Sequence, residues 1–259
     1  MNLSEIKAAL SDTPVPEVKY FDSIGSTNDI AMDWALQGAE DYSLVFADQQ
    51  TSGRGRLGRK WVTESGAALA FSLVIHPTQE ETEAITLFSP LGALAISDSL
   101  EILYNLDTQI KWPNDVLYRK SKFSGILVET SWMDNRVEGI IIGIGANIKP
   151  SSVPPADTML YPATCIEDAI GMTVNRLRLL NIIIKRIIHW REHFQTASFL
   201  AAWEEKLAFK GEWVQILQPK QETLTGKLLG VELNGNLVLE TETGERLSIS
   251  VGDLHLRPI

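Results

Sequence analysis

Cysteine is almost absent from this sequence of 259 residues. Cys165 is the only one, which excludes an internal disulfide and is compatible with a reducing cellular compartment. The first residues also lack the basic and apolar segments of a secretory signal peptide. No apolar run approaches the roughly 18 residues of a membrane-spanning helix. We therefore expect a cytoplasmic protein without a membrane partner.

Basic residues are fewer than acidic ones, and the formal net charge is −10. Such a charge repels a nucleic acid. A single short helix is predicted in residues 1–13, and a helix-turn-helix needs more chain than that, so we expect no DNA partner. The length and the hydrophobic content of 44% are typical of a soluble protein with one sizeable core and a small additional domain.

Against this acidic background, residues 50–61 form a basic, glycine-rich stretch, which we call the arginine–glycine loop. It reads Gln-Thr-Ser-Gly-Arg-Gly-Arg-Leu-Gly-Arg-Lys-Trp and contains three glycines, four positive charges and no acid. Glycine lets the backbone approach a ligand closely, and arginine presents forked donors that suit carboxylates and phosphates. The loop is therefore predicted to be flexible and to order around a small anionic ligand.

Other interpretations of this loop fit less well, although a merely solvated loop remains an alternative. RNA-binding arginine–glycine tracts are usually longer, and the acidic chain disfavours them. The glycines match the dinucleotide fingerprint G-x-G-x-x-G, but that motif opens a helix, and a strand-like segment follows here. A Walker A loop is excluded because Gly58 precedes Arg59 and Lys60, where that motif has Lys and then Ser or Thr.

Hydrophobic periodicity predicts strands in runs and helices in groups, which is typical of the α+β class. We expect a mixed β-sheet packed by helices on one side. Ser26 and Asp29 are spaced as a capping box at the start of a helix that Gly38 ends, and Pro90 should kink or divide its helix. The predicted strands are Val18–Phe21, Leu44–Ala47, Leu69–Ile75, Gln109–Lys111, Val116–Tyr118, Gly125–Glu129 and Val137–Ile144, with a turn at Asp134–Asn135. The other predicted helices are Thr82–Tyr104, Thr173–Phe194 and Ala197–Ala208.

From Gly211 onward, short β runs alternate with Asn-Gly and Thr-Gly turn signals. About fifty such residues predict a small β-barrel, which would pack on the first domain because so small a unit has little stability alone. We therefore predict two domains, 1–208 and 209–259. The predicted strands of the second are Glu212–Leu217, Thr225–Glu232, Leu237–Glu240 and Arg246–Ser250.

Three further motifs contain residues suited to chemistry, although each has an ordinary structural explanation on its own. Residues 111–115 (Lys-Trp-Pro-Asn-Asp) place a lysine, an amide and a carboxylate around a turn, as a polar hairpin also would. Lys122 precedes a buried apolar strand, where a surface lysine is also common. Residues 143–147 (Gly-Ile-Gly-Ala-Asn) end a strand with glycines that permit close approach.

Residues 189–193 (His-Trp-Arg-Glu-His) match the zinc motif H-x-x-E-H. The surrounding helix is rich in basic residues, and the other histidines, His76 and His255, lie in unrelated segments. Short motifs recur by chance, so we do not expect zinc catalysis.

Taken together, four motifs in this order resemble those of the biotin–protein ligases. They are residues 26–28 (Ser-Thr-Asn), the arginine–glycine loop, residues 111–115, and residues 122–127 (Lys-Phe-Ser-Gly-Ile-Leu). The resemblance is strong over residues 18–150 and weak in the C-terminal part. It implies a class II synthetase-like catalytic domain followed by an SH3-like barrel, and a ligase-only protein without an N-terminal DNA-binding domain. Ala146 stands where the family usually has a larger aliphatic residue, which bears on the wall of the adenylate pocket.

The resemblance also implies a reaction. Biotin and MgATP would give biotinyl-5′-AMP, and biotin would then pass to one lysine of a biotin carboxyl carrier domain of a carboxylase or decarboxylase. ATP and Mg²⁺ are the implied cofactors, and a homodimer is compatible with the family. The implied catalytic residues are Lys122 and Arg56, and Asp115 would hold Mg²⁺. The implied biotin-binding residues are Ser26, Thr27, Asn28, Gln50, Arg54, Gly55, Arg56 and Lys122. The implied ATP-binding residues are Arg56, Arg59, Trp61, Lys111, Asn114 and Asn147.

Two alternatives to this function stay open. A lipoate–protein ligase has a related fold and reaction, but the Lys-Trp-Pro-Asn-Asp motif beside Gly-Arg-Gly-Arg favours biotin. A protein that senses biotinyl-AMP without turnover is the other, and the presence of both Lys122 and Asp115 favours an enzyme instead.

Overall fold

The computed structural model describes residues 1–134, 136–155, 161–217, 223–250 and 255–258. The helices are α1 Leu3–Ala9, α2 Thr27–Leu36, α3 Gln79–Glu83, α4 Phe88–Tyr104, α5 Ile166–Ile170, α6 Arg176–Glu192 and α7 Ala197–Glu205. The strands are β1 Val18–Phe21, β2 Leu44–Ala47, β3 Ala68–Ile75, β4 Gln109–Lys111, β5 Asp115–Tyr118, β6 Ser121–Met133, β7 Arg136–Asn147, β8 Trp213–Leu217, β9 Leu224–Val231, β10 Leu237–Glu240, β11 Arg246–Ile249 and β12 His255–Pro258. Short 3₁₀ turns lie at Arg56–Gly58, Ile85–Leu87 and Pro150–Ser152.

Seven strands form one mixed sheet in the order β1-β2-β3-β7-β6-β5-β4. β1 and β2 are parallel, and the other neighbouring pairs are antiparallel. The prediction of a mixed α+β sheet is therefore confirmed. β6 and β7 are longer than predicted, with 13 and 12 residues. The predicted turn between them includes Asn135, which lies outside the described residues.

The two faces of this sheet are covered by different helices. α4 packs on one face and α6 packs on α4, and Phe71 and Leu73 of β3 belong to the main core on this side. α2 packs on the opposite face, where Ala31 and Trp34 form a second core with Val74. The prediction that helices cover only one side is therefore wrong. Successive residues of a strand point to opposite faces, and here both faces of the central strands are apolar enough to bury a helix.

The predicted helix Thr82–Tyr104 is divided, although not at Pro90. A 3₁₀ turn at Ile85–Leu87 separates α3 from α4, and Pro90 lies in the first turn of α4. A missing backbone N–H costs nothing there, because the first turn has no intrahelical acceptor.

By length and composition alone, the segment Ile85–Tyr104 could cross a membrane, contrary to our expectation from the sequence. Of its most apolar stretch of 18 residues, 67% is buried inside the protein, between the sheet and α6. It is therefore the core helix of this fold.

The C-terminal strands form a five-stranded antiparallel sheet in the order β11-β10-β9-β8-β12. β12 was not predicted, and closure into a barrel stays a prediction, as does the domain boundary after residue 208. This sheet contacts α7 and two turns of the first part of the chain. The indole N–H of Trp112 donates to Gly235 O at 3.0 Å, and the Thr86 hydroxyl donates to Asn234 O at 3.0 Å. The turn between β9 and β10 thus touches the residue next to Lys111.

Candidate active site

A cavity of about 650 Å³ lies on the α2 face of the sheet. Gly125 of β6 and Gly145 of β7 are cross-strand partners there, and Gly143 lies two residues before Gly145 in β7. These glycines keep side chains off the sheet, so that other groups can lie directly on it. All the predicted site residues line this cavity, namely Ser26, Thr27, Asn28, Gln50, Arg54, Gly55, Arg56, Arg59, Trp61, Lys111, Asn114, Asp115, Lys122 and Asn147. The expectation for Ala146 is wrong, because its side chain belongs to the main core on the opposite face.

The cavity has further lining residues from the segment after β7, none of which was among the predicted site residues. They are Pro154, Pro155, Tyr161 and Ala163. The ammonium of Lys111 lies 4.4 Å from the ring centroid of Tyr161. Desolvation, with a smaller contribution from Asp115, raises the pKa of Tyr161 to about 12. Its phenol is therefore neutral at physiological pH. Loop residues such as Tyr161 follow no hydrophobic period, so periodicity could not predict their place in the site.

The N-terminus of α2 closes one end of the cavity. Ser26 is the N-cap, but its side chain makes no capping hydrogen bond, so the predicted capping box with Asp29 is wrong. Gln50 takes that role instead, because its Oε1 accepts from Thr27 N at 2.8 Å and from Thr27 Oγ1 at 3.0 Å. Only the NH₂ end of the Gln50 amide then remains as a donor for a ligand.

Ser72 orients the polar groups of this helix end from below, although the sequence prediction did not name it. Its buried hydroxyl lies 2.7 Å from Thr27 Oγ1 and 2.6 Å from Asn28 Oδ1. The Asn28 amide rests on Gly143, where a Cβ would overlap Asn28 Oδ1 and approach its Cγ to 2.8 Å. Ser72 pairs with Gly143 across the sheet. Ser72 is the one polar residue in the otherwise apolar strand β3, and this was the sequence feature that could have pointed to it.

The arginine–glycine loop folds back on itself over the cavity. Trp61 N donates to Gly53 O at 2.8 Å, and Gly55 N donates to Arg59 O at 2.7 Å. A Cβ on Gly53 would lie 2.6 Å from Trp61 O, and Gly58 has a φ of 68°. Two of the three glycines are therefore required by close approach or by left-handed backbone.

Trp61 packs directly against Gly125 and Gly145, which together with Gly143 we call the glycine platform. A Cβ on Gly145 would lie 2.5 Å from its ring, and one on Gly125 would lie 3.5 Å away. The ammonium of Lys122 is 5.5 Å from the ring centroid, within cation–π range. Trp61 Nε1 is buried and has no acceptor among the described residues.

Two lysines and one aspartate form the charged centre of the site. Lys122 Nζ lies 2.6 Å from Asp115 Oδ1, and Lys111 Nζ lies 3.8 Å from Asp115 Oδ2. Burial alone would raise the pKa of Asp115, but the charges of Lys122 and Lys111 outweigh it and hold this pKa below its usual value. A β-bulge between β5 and β6 lies opposite Lys122, and bulges commonly re-aim side chains near sites.

Replacing Asp115 by Asn should change how stability depends on pH. Folding lowers the pKa of Asp115 below 3.8, so the ionised carboxylate stabilises the fold above that pH. This contribution is lost as the pH falls through the lower folded pKa. We expect Asp115→Asn to be about 1–3 kcal/mol less stable at neutral pH and to lose less stability on acidification.

Urea unfolding at a series of pH values from neutral to acid measures this difference. Asp107→Asn, a change at an exposed position, is the control for loss of one charge. Parallel pH profiles for the wild-type protein and Asp115→Asn would contradict the prediction.

Two asparagines at the same end of the cavity are anchored to the backbone. Asn114 Nδ2 donates to Ile126 O at 2.8 Å, and Asn147 Nδ2 donates to Thr164 O at 3.1 Å. Each side chain is thereby fixed in orientation, while its carbonyl oxygen and second N–H remain suited to a polar ligand.

Two carboxylates hold the guanidinium of Arg54. Its Nη2 lies 2.6 Å from Asp29 Oδ1 and 3.0 Å from Glu129 Oε2. Glu129, at the end of the predicted strand Gly125–Glu129, was not among the predicted site residues.

The H-x-x-E-H motif lies at the end of α6, apart from the residues that line the cavity. The possible ligand atoms of His189, Glu192 and His193 lie within 4.8 Å of one another. His193 Nδ1 is 2.8 Å from His189 O, which is helix-terminal bonding that needs no metal. The motif is therefore no part of the candidate site.

The mixed sheet carries a cavity lined by several lysines and arginines, which is typical of an enzyme that binds anionic groups. Sequence comparison assigns the particular family. Residues 20–147 match the biotin/lipoate A/B protein ligase family, and residues 211–257 match the biotin protein ligase C terminal domain. The chain belongs to the biotin protein ligase family.

Individual relatives agree with this assignment. The chain is 34% identical to the bifunctional ligase/repressor BirA of Bacillus subtilis, over 87% of this chain and 70% of that protein. It is 31% identical to the biotin–[acetyl-CoA-carboxylase] ligase of Mycobacterium tuberculosis, over 90% and 86% respectively. Among solved structures, the biotin protein ligase of Aquifex aeolicus in complex with biotin and ATP has a TM-score of 0.82 and 30% identity, covering 94% of this chain and 100% of that one.

Proposed function

We propose that this chain is a cytoplasmic biotin ligase that activates biotin with MgATP and passes it to a carrier protein. The observation that supports this most directly is the division of the cavity. Polar groups around Thr27 and Gln50 lie at one end, and the Lys111, Asp115 and Lys122 cluster lies at the other. A small molecule with a polar ring and a carboxylate would fit the first part, with its carboxylate directed to the cations.

In the first step, a biotin carboxylate oxygen attacks the α-phosphorus of ATP. A new C(O)–O–P bond forms, the bond between the α-phosphorus and its bridging oxygen breaks, and pyrophosphate leaves. Two anions must approach, so catalysis consists mainly of positioning and neutralisation of charge. Lys122 and Arg56 would lie at the reacting groups. Arg59, Lys111, Asn114 and Asn147 would bind the nucleotide, and Trp61 would cover the adenylate.

Mg²⁺ fits the donor set at the phosphate end. Asp115 is the one carboxylate among the described residues that line the cavity, and Mg²⁺ is commonly bound by one or two carboxylates together with substrate phosphates. Asp115 would hold the ion, and its carboxylate also contacts Lys122 and Lys111. When bound, the ion would supply charge neutralisation on the phosphates.

In the second step, the neutral amine of a carrier lysine attacks the acyl carbon of the anhydride. An amide bond forms, AMP leaves, and the amine proton passes to solvent. The partner would be the biotin carboxyl carrier domain of a biotin-dependent carboxylase or decarboxylase. The anhydride is prone to hydrolysis, so closure of the arginine–glycine loop would protect it from water.

Pyrophosphate release with biotin, with lipoate and with neither tests the activation step. Addition of a purified apo carrier domain and detection of biotin by streptavidin shift tests transfer. We expect release only with biotin and one biotin per carrier domain. Equal release with lipoate would reassign the substrate, and release without transfer would contradict the carrier partner.

Arg56→Gly should make the enzyme leak its intermediate. The side chain lines the cavity within the loop, and without it the phosphate of biotinyl-5′-AMP loses a neutralising partner. We expect free biotinyl-5′-AMP to accumulate in solution about ten to a hundred times faster than with the wild-type protein. Chromatography of the filtrate after ultrafiltration measures it. Retention equal to that of the wild-type protein would count against closure of the loop on the adenylate.

A further inference from the structure

The carboxylate of Glu129 joins two parts of the site that are distant in sequence. Its Oε2 accepts from Asn28 Nδ2 at 2.6 Å, and Asn28 belongs to the first turn of α2. Both of its oxygens also accept from Arg54 of the loop, at 3.0 to 3.4 Å. Glu129 is only 27% exposed, so solvent competes weakly for these contacts.

Arg54 is committed to this arrangement. Its Nη2 also contacts Asp29 Oδ1 at 2.6 Å, and its Nε donates to Glu129 Oε1 at 3.4 Å. A guanidinium held by two carboxylates carries no net positive charge to a third one. The side chain of Arg54 is therefore poorly suited to neutralise the carboxylate of a substrate.

The contact continues from Glu129 into the sheet. Asn28 Oδ1 lies 2.6 Å from the Ser72 hydroxyl, and this hydroxyl is fully buried. Hydrogen bonds thus run from the interior of β3, through the floor of the cavity at Asn28, to the loop that covers it. A substitution at Ser72 or at Arg54 therefore changes the hydrogen bonds that Glu129 makes.

We propose that Glu129 is a positioning residue that anchors the arginine–glycine loop to the floor of the cavity. The proposal rests on the proposed function, because it explains how the loop is held over an adenylate. Arg54 acts as the anchor point of the loop, and the role at the reacting groups stays with Arg56 as proposed above. The order of the loop and the orientation of Asn28 are coupled, because the carboxylate of Glu129 accepts hydrogen bonds from both Arg54 and Asn28.

Glu129→Gln tests the anchor without relying on the reaction. The amide has nearly the same shape, but it presents an NH₂ group to two donors and carries no charge. Endoproteinase Lys-C cuts after Lys60, an exposed lysine of the loop. In the protein without ligands, we expect cleavage at Lys60 about ten times faster in Glu129→Gln, because cleavage follows the population of the open loop. Unchanged cleavage would overturn the proposal.

A double-mutant cycle tests whether Arg54 works through Glu129. The measurement is the half-life of bound biotinyl-5′-AMP, from chase of labelled biotin by excess unlabelled biotin. We expect Glu129→Gln and Arg54→Gln each to shorten it about tenfold, and the double variant to be no worse than twofold beyond the single ones. A further tenfold loss from Arg54→Gln in the Glu129→Gln background would show that Arg54 binds the ligand itself and would overturn the assignment.

Two controls separate the possible failures. Glu101→Gln breaks the exposed ion pair with Lys206 far from the cavity, and it should leave both measurements unchanged. Wild-type protein without biotin-dependent pyrophosphate release would contradict the proposed function, whereas the cleavage assay would still report on the anchor. Equal thermal stability of Glu129→Gln and Glu101→Gln would show that faster cleavage is local.

Discussion

Replacing Lys122 by alanine should lower the rate of adenylate formation by about two to three orders of magnitude. The ammonium lies 2.6 Å from Asp115 and 5.5 Å from the ring centroid of Trp61, at the centre of the charged end of the cavity. Attack of one anion on another needs positive charge that is already in place. A lysine held by a buried carboxylate meets that need, because it requires no reorganisation when the carboxylate and the phosphate approach.

Biotin-dependent pyrophosphate release measures this effect, and Lys120→Ala is the matched control. Lys120 is an exposed lysine two positions away whose ion pair is with Glu212. It should keep near-normal release. The fold of Lys122→Ala should persist, because Lys111 still lies 3.8 Å from Asp115. Near-normal pyrophosphate release from folded Lys122→Ala would overturn the assignment of this residue to the reaction.

The sequence predicted the elements of the fold well where a period or a turn signal was strong. β1, β2, β4 and β10 have the predicted bounds. The prediction of helices on one side was wrong because periodicity shows that a face is apolar, and not which helix covers it. The position of α2 depends on Gly143 and Ser72, whose contacts cross the sheet and join residues distant in sequence.

In the candidate site too, some residues could be predicted from the sequence and others only from their contacts in the structure. The charged residues could be named from motifs, because their chemistry is rare within so short a stretch. Residues that position them could not, since a glutamate at the end of a strand or a serine within one has many ordinary uses. The roles of Glu129 and Ser72 can be assigned only from the structure, which shows their contacts with Arg54 and Asn28. The cap of α2 is a similar case, because Gln50 supplies it from another segment.

Gly143→Ala should weaken biotin binding by about a hundredfold, while ATP binding changes little. The added Cβ would overlap Asn28 Oδ1 and lie 2.8 Å from Asn28 Cγ. Asn28 cannot move away at low cost, because Ser72 and Glu129 hold its two ends. The strain therefore passes to the first turn of α2 and so to Thr27 and its contact with Gln50. The nucleotide end of the cavity, at Lys111, lies on other strands and keeps its geometry.

Titration calorimetry with biotin and with ATP separates these two effects, and Gly25→Ala is the control, since a Cβ there meets nothing within 4 Å. A second variant decides whether overlap is the cause. Gly143→Ala combined with Asn28→Ala removes the group that is struck, so thermal stability should recover towards that of Asn28→Ala alone. Biotin affinity should stay low, because the amide that joins the floor of the cavity to Glu129 is gone. Normal biotin affinity in Gly143→Ala would mean that α2 adjusts freely, and that the glycine platform does not fix this end of the cavity.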